Sequence, residues 1–420
     1  MSQQPAGNRA LAFIFVTVLI DSTGFGIILP VLPQLIMQLT GVGIDRAAAY
    51  GGWLGFVYAL MQFVCAPVLG NLSDAHGRRP VLLFALFALG CDYLIMGLAP
   101  AIGWLFAGRM IAGIAGASFT PAYAYVADIT PPERRAQSFG LMGAAFGIGF
   151  ILGPGIGGLL GEFGPRAPFF AAAAIALCNS VFGYFALPES LPPERRRAFQ
   201  WARANPLGTL RQMLHYPVVA WLLGAVFLWQ LAHQVLPSVW AFYTISRFHW
   251  STGQVGASLV WVGILMAIAQ GVLTRVLIPA LGGERRAALI GMGFAVLGYL
   301  GYAFATQGWM MYAVALATFI FALTYPSMNA ISSGLTPANA QGELQGAVAC
   351  LYSLSSILGP PLMTQIFGHF SAPQARPHFP GAPFVAAALL TLGSVALLVR
   401  ALRMPPPVPA AALPADGAHG

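Results

Sequence analysis

Residues 130–154 read TPPERRAQSFGLMGAAFGIGFILGP, and residues 336–360 read TPANAQGELQGAVACLYSLSSILGP. The register between them is constant: Thr130 and Thr336, Gly140 and Gly346, and the Ile-Leu-Gly-Pro runs ending at Pro154 and Pro360 all stand 206 residues apart. The same offset carries Arg79 onto Arg285, each in a short basic segment that follows an apolar run. Half of the 420 residues is about that length, so the chain reads as two related halves.

Each half is too apolar for water. Hydrophobic residues make up 58% of the chain and charged residues 8%, against about 25% charged in a soluble domain. With 12% aromatic residues and so little charge, a disordered chain is excluded as well. Crossing a bilayer core about 30 Å thick takes roughly 20 apolar residues of helix. Spans fit near 10–33, 49–71, 80–99, 101–126, 137–161, 167–187, 215–243, 253–280, 286–306, 308–331, 343–369 and 381–402. The expected fold is an all-α membrane protein of twelve transmembrane helices in two pseudo-symmetric six-helix bundles, 1–187 and 215–403. Substrate sites in such duplicated bundles lie between the halves near the bilayer midplane. A polar linker, 188–214, joins the bundles, and a Pro- and Ala-rich tail, 404–420, reads as disordered.

The net charge of +8 comes entirely from arginine. With the N-terminus inside, fourteen arginines from Arg9 to Arg403 fall on the cytoplasmic side, and only Arg46, Arg166, Arg247 and Arg376 fall outside; Arg109 and Arg275 lie within spans. That asymmetry orients the protein with both termini cytoplasmic. It leaves no basic, aromatic-interleaved soluble face for a nucleic acid. The first span follows a short polar start, yet it carries Asp21 and its apolar run continues through Pro30 and Pro33, so it reads as a retained helix and not a cleaved signal. Cys65, Cys91, Cys178 and Cys350 all sit inside spans without the spacing of a metal site, and they read as packing residues. No phosphate-binding loop, metal cluster or nucleophile–base pair is present, so the expectation is a protein that is not an enzyme, uses no cofactor and no metal, and draws on an ion gradient.

A charge at the bilayer centre costs on the order of 3 kcal/mol on insertion scales, so intramembrane carboxylates are candidates for function. Asp21 lies near the middle of the first span, with Thr17 and Gly24 about a turn to either side, a stripe that can face a cavity. It reads as a proton carrier or as a carboxylate that ties helices together. Asp92 precedes Pro100 by eight residues and Arg109 follows it by nine. The two therefore sit at similar depth, roughly 10 Å in, and an ion pair between them serves either coupling or the neutralisation of a buried charge. In Gly70-Asn-Leu-Ser-Asp74-Ala-His-Gly77-Arg78-Arg79-Pro80, the segment after the second span, a helix end, a carboxylate, a glycine turn and paired arginines suit a hinge loop that trades salt bridges between states. The fifth span carries Gly149, Gly153, Pro154, Gly157 and Gly158, which permit close helix approach and bending. In the second half the neutral polar groups Gln230, His233, Gln234, Gln270 and Asn329 read either as bridges between packed helices or as hydrogen-bonding partners for a substrate.

The hinge segment resembles the signature of the major facilitator superfamily at Gly70, Asp74, Gly77, Arg78 and Arg79. GRMIAGIAGA, with Arg109, resembles that family's second motif, and the glycines of the fifth span resemble its antiporter motif. Within the superfamily the chain is similar to the tetracycline/proton antiporters through LIDSTGFGIILPVLP, LGCDYL, VADIT, LPSVWAFYTISRFHW and LQGAVACLYSLSSILGPPL. The resemblance implies coupling roles for Asp21 and Asp92, gating by Asp74 with Arg78, and a polar substrate contact at Gln234. Two positions depart from it: Ala295 stands where that family has a ninth-span aspartate and Met266 where it has an eighth-span histidine, which puts tetracycline itself in doubt. The expected function is proton-coupled export of a small, largely apolar compound by a monomer in a bacterial inner membrane. An importer or facilitator of a metabolite and a non-transporting receptor or scaffold are the alternatives.

Overall fold

The computed structural model describes residues 4–200, 217–337 and 340–404. Twelve helices among them are long and apolar enough to cross a membrane: α1 Leu11–Ile28, α2 Ile44–His76, α3 Arg78–Leu98, α4 Ile102–Ile129, α5 Pro132–Gly161, α6 Ala167–Ala186, α7 Val218–Phe248, α8 Thr252–Ala280, α9 Glu284–Ala303, α10 Gly308–Gly334, α11 Gln341–Ser371 and α12 Ala382–Arg403. The twelve expected spans are all present. Most of the predicted tail (405–420) and the later part of the linker (201–214) lie outside the described residues.

Two boundaries differ from expectation. The first span does not continue to residue 33: α1 stops at Ile28, a turn follows, and a separate short helix runs Leu32–Thr40. Pro30 has no N–H to continue the helical ladder, whereas Pro33 falls in the first turn of the new helix, where a missing N–H costs nothing. The predicted hinge loop is almost entirely helical. α2 runs through Gly70 and Asp74 to His76, and only Gly77, at φ +104°, separates it from α3. At about 1.5 Å per residue, the 33 residues of α2 span about 50 Å, so its last turns project beyond the hydrocarbon core. The polar residues there have partners that let the helix continue: Ser73 Oγ donates to the Gly70 carbonyl and Asn71 Nδ2 to that of Gln200.

The breaks inside spans obey the 206-residue repeat. α1 gives way after Ile28 and α7 is interrupted at Gln234. α4 is interrupted at Ala117–Ser118, and α10 turns to 3-10 geometry over Phe319–Leu323. Pro67, inside the continuous α2, corresponds to Leu273, the last residue of a π-helical stretch, Ala269–Leu273, in α8, so here only the second half departs from α-helix. Paired interruptions in the two halves of a membrane bundle free backbone groups near a cavity and are the feature that most directly locates a transport site.

The halves meet along α2 with α11 and α5 with α8, at the end away from the linker. A methyl group on Gly52 would overlap Thr364 Oγ1 and stand 2.9 Å from the Pro360 carbonyl, and one on Gly158 would stand 2.7 Å from the Thr252 carbonyl. Toward the linker end the contact is gone. Gly140 and Gly147 precede Gly158 by 18 and 11 residues, so at 100° per residue they share its face of α5 within about 20°. A methyl group on either would nonetheless meet nothing within 4 Å, and the same holds for Gly271 on α8 and Gly342 on α11. The bundles therefore form a V, shut at the far end and open at the linker end.

Candidate functional site

Three charged side chains sit inside the first bundle at one level. Counting helical rise, Asp21, Asp92 and Arg109 each lie about 10 Å from the far ends of α1, α3 and α4. The expected ion pair is present: Arg109 Nη2 donates to Asp92 Oδ2 at 2.7 Å, with the Asp92 side chain fully buried and Arg109 8% exposed. The same nitrogen lies 3.0 Å from the sulfur of Met96, and the guanidinium stands 5.6 Å over the ring of Tyr58. The pair is incompletely satisfied, since Asp92 Oδ1 and Arg109 Nε have no hydrogen-bond partner.

Asp21 is different. Its Oδ1 is buried with no partner and no guanidinium is bonded to it; Tyr58 and Tyr93 lie within its electrostatic reach. The predicted cavity-facing stripe does not form around it. Thr17 is buried and accepts a hydrogen bond from Asn179 of α6, and Gly24 is packed against the Tyr93 ring. Those neighbours fix α1 against α3 and α6, and they leave the carboxylate as the group without an assigned partner.

The repeat makes this charge one-sided. Residues 206 further on from Asp21, Asp92 and Arg109 are Phe227, Gly298 and Ala315. Ala295, likewise uncharged, is buried. Its polar groups spread over depth and do not ring one pocket. His233, beside the α7 break, stacks on Trp229 at 6.1 Å, lies 5.7 Å from the Phe321 ring, and has Nδ1 3.4 Å from the Tyr299 hydroxyl. Gln230 is buried on the preceding turn. Gln234 Nε2 donates to Ser356 Oγ at 2.9 Å, tying α7 to α11. Asn329 Oδ1 accepts from Gln345 Nε2 at 3.2 Å and lines a small cleft with Trp229, Tyr325 and Met328. Gln270 stands exposed on the π-helical stretch of α8, about 15 Å up from the linker end against about 25 Å for Gln234. Met266 lies just before that stretch, half-buried.

At the linker end, the hinge residues are joined by groups the sequence did not single out. Arg78 pairs with Asp74 and, through Nε at 3.3 Å, with Asp128 at the end of α4; its Nη1 donates to Ser73 Oγ. The Glu189 carboxylate accepts from the backbone N–H groups of Arg78 and Arg79, so it caps the N-terminus of α3 where a negative charge is favoured. Arg79 donates to the Tyr184 carbonyl. The linker is therefore docked on the first bundle over its opening residues: Arg197 N donates to the Asp74 carbonyl and Tyr125 Oη to that of Pro188. Gly70 packs beside Thr120 of α4.

On α5, the glycines divide by face. Gly149, Gly153 and Gly157 lie against α1 around Ser22, Thr23, Gly26 and Ile27, while Gly158 and the Pro154 carbonyl meet α8 at Gly253 and Gly256. The helix runs through Pro154 without a break, and one short stretch of it serves both the packing of its own bundle and the seam between bundles.

Twelve spans in two repeats, paired helix breaks, and a basic hinge at the end of α2 are matched by a sequence profile described as Major Facilitator Superfamily, over residues 14–360 and 283–419. The chain belongs to the major facilitator superfamily. It is 43% identical over 366 residues to the class C tetracycline resistance protein of Escherichia coli, covering 86% of this chain and 90% of that one. It is 39% identical to the class G protein of Vibrio anguillarum, covering 83% and 88%. The crystal structure of the human organic anion transporter MFSD10 (TETRAN) superposes with a TM-score of 0.63 at 26% identity, over 94% of this chain and all of that one. A bacterial homologue of the human lysosomal transporter Spinster, inward-facing and occupied, gives 0.72 at 15% identity over 96% and 98%, a likeness of fold. As a superfamily member this chain is a multi-pass membrane protein with the transporter fold.

Proposed function

We propose that this protein exports a small, largely apolar compound from a bacterial cell in exchange for protons, working by alternating access as a monomer in the inner membrane. The observation that carries the reading is Asp21, a carboxylate with an orphaned buried oxygen at the depth of a second, already paired carboxylate. A paired acid such as Asp92 is held by Arg109, whereas Asp21 is free to exchange a proton as the bundles rock. The positive-inside distribution of arginine supports a topology with both termini and the open end of the V in the cytoplasm. Substrate then enters between the linker ends of the helices, and the far-end seam must part to release it outside.

The similarity to tetracycline resistance proteins supports drug efflux as the direction of transport. Because the second bundle offers amides and aromatic rings where a carboxylate would be needed for a metal chelate, we assign an uncharged or weakly charged aromatic or aliphatic compound, with tetracycline not the preferred cargo. Gln230, Gln234, Asn329 and His233 would hydrogen-bond it; Gly70, Asp74, Gly77, Arg78 and Arg79 would gate the cytoplasmic end. Flux in proteoliposomes tests the assignment. With an imposed inward proton gradient, a drug panel should yield at least one compound moved against its own gradient, and Asp21→Asn should abolish that movement. Flux down the substrate gradient that ignores pH would replace the reading with a facilitator.

A further inference from the structure

The far end of the molecule is closed mostly by apolar and glycine contacts, with one ionised group crossing it. Glu162 follows the last residue of α5 and belongs to the first bundle; its Oε1 accepts from the backbone N–H of Gly253 at 2.7 Å and from Thr252 Oγ1 at 3.2 Å, both at the start of α8 in the second. Ser251, the residue that caps α8 through its own side chain, also donates toward it. The carboxylate therefore sits on the N-terminus of a long helix, where unpaired N–H groups and the helix dipole favour a negative charge. Thr252 Oγ1 also reaches the Gly158 carbonyl, so the same residue is tied twice to α5.

We propose that Glu162 is a latch of the transport cycle: its charge, seated on the α8 N-terminus, holds the far end of the two bundles shut, and release of that contact accompanies far-end opening. The inference does not depend on what is carried or on which ion drives it. No charged side chain competes for the carboxylate among the described residues: Arg166 is turned to the Gly97 and Ala99 carbonyls, Arg247 to that of Ala305, and His249 lies exposed at the end of α7. The groups acting on Glu162 are Ser251, Gly253 and Thr252 alone, and they hold its carboxyl below the usual 4.5. Contacts of this kind confine the effect to the inter-bundle seam, since α5 and α8 belong to different halves. Nothing in the spacing of the chain marks it, because Glu162 lies in a short turn and its partners stand about ninety residues away.

The test uses a reporter on the other helix pair, so that local fraying and bundle opening separate. Thr364 is fully buried on α11 against Gly52 of α2. In a background with the four cysteines replaced by serine, the thiol of Thr364→Cys reacts with a charged, membrane-impermeant thiol reagent only when the far end opens, and the rate scales with the open population. Glu162→Gln and Glu162→Ala should raise that rate about threefold in full-length protein in liposomes, the effect of losing an anion at an exposed helix N-terminus. Glu162→Asp should remain within about twofold of the parent, and Arg166→Gln, which removes a nearby charge without touching the seam, should leave the rate unchanged. An unchanged rate in both Glu162→Gln and Glu162→Ala overturns the proposal. So does a rise seen only with a reporter thiol at Thr252, which marks fraying of α8 without bundle opening. If Glu162→Ala does not fold, Glu162→Gln against Glu162→Asp carries the same comparison.

Discussion

Removing Asp92 should harm this protein more than removing Asp92 and Arg109 together. Asp92 is fully buried, and its Oδ2 is the acceptor for Arg109 Nη2 at 2.7 Å. The remaining contacts of the guanidinium, the Met96 sulfur and the Tyr58 ring face, cannot neutralise it. Asp92→Ala therefore strands a cation in a low-dielectric interior, and breaking a buried pair in this way costs roughly 3–5 kcal/mol. Replacing both partners by neutral side chains removes two desolvated charges at once, and by the same reasoning lands near the parent or within about 2 kcal/mol of it. The assay is the half-life of the folded state in detergent at a fixed temperature, followed by tryptophan fluorescence; a 3 kcal/mol loss expressed in the unfolding rate shortens it by about two orders of magnitude. Asp92→Asn, close in shape but uncharged, should fall with Asp92→Ala. A double variant that is as short-lived as Asp92→Ala, or an Asp92→Ala protein as long-lived as the parent, refutes the reasoning.

Three further outcomes follow from the seams. Gly153→Val should prevent folding or cost more than about 2 kcal/mol, because its Cβ would overlap the Thr23 carbonyl and lie 2.7 Å from the Gly26 Cα, whereas Gly147→Val, whose Cβ would meet nothing within 4 Å in this state, should leave folding intact and impair transport; melting curves beside flux separate the two. The α5–α8 contact pairs Ile151 with Gly263, and carrying that register toward the linker end sets Gly147 opposite Ala267. Gly147→Cys with Ala267→Cys should be bridged by a short bifunctional thiol reagent only when the linker end is closed, and bridging in the V-shaped state would contradict the geometry. The Glu162 carboxyl is lowered by its contacts with α8, so its hold is complete above the ordinary value of 4.5 and is lost as external pH falls through the lowered one. Far-end thiol reactivity, divided by that of an exposed reference thiol to remove the fall in thiolate with pH, should therefore stay flat from neutral pH to about 5 and rise only below, and Glu162→Gln should erase that rise.

Much of this architecture is written in the chain. The 206-residue repeat and the length of each apolar run were enough for twelve helices in two bundles, because lipid demands continuous helical hydrogen bonding and the span count follows from thickness. The Asp92–Arg109 pair was legible since a tight turn at Pro100 fixes both depths. What failed to show were features decided by a single backbone event or by distant partners. Pro30 ends α1 while Pro33 starts the next helix, and hydropathy does not distinguish the two. The hinge at Gly70–Pro80 looked like a loop because it is polar, yet its polar side chains are held by Gln200, Asp128 and Glu189, residues remote in sequence, and the helix continues to Gly77. Tyr58, Trp229 and Phe321 stand at the site, but aromatic residues are common throughout the chain and nothing in their spacing marks these three. Gln270 falls within an apolar run and so reads as a buried amide, yet it stands exposed on the π-helical stretch of α8.

The central claim is that Asp21 changes protonation during the cycle while Asp92 stays paired. Infrared difference spectroscopy on purified protein, with and without a transported compound, reads this directly. The account predicts a protonated-carboxyl band that disappears when the compound binds at neutral pH, that is missing from Asp21→Asn, and that survives in the Arg166→Gln control. A band unaffected by the compound, or one that persists unchanged in Asp21→Asn, would contradict it.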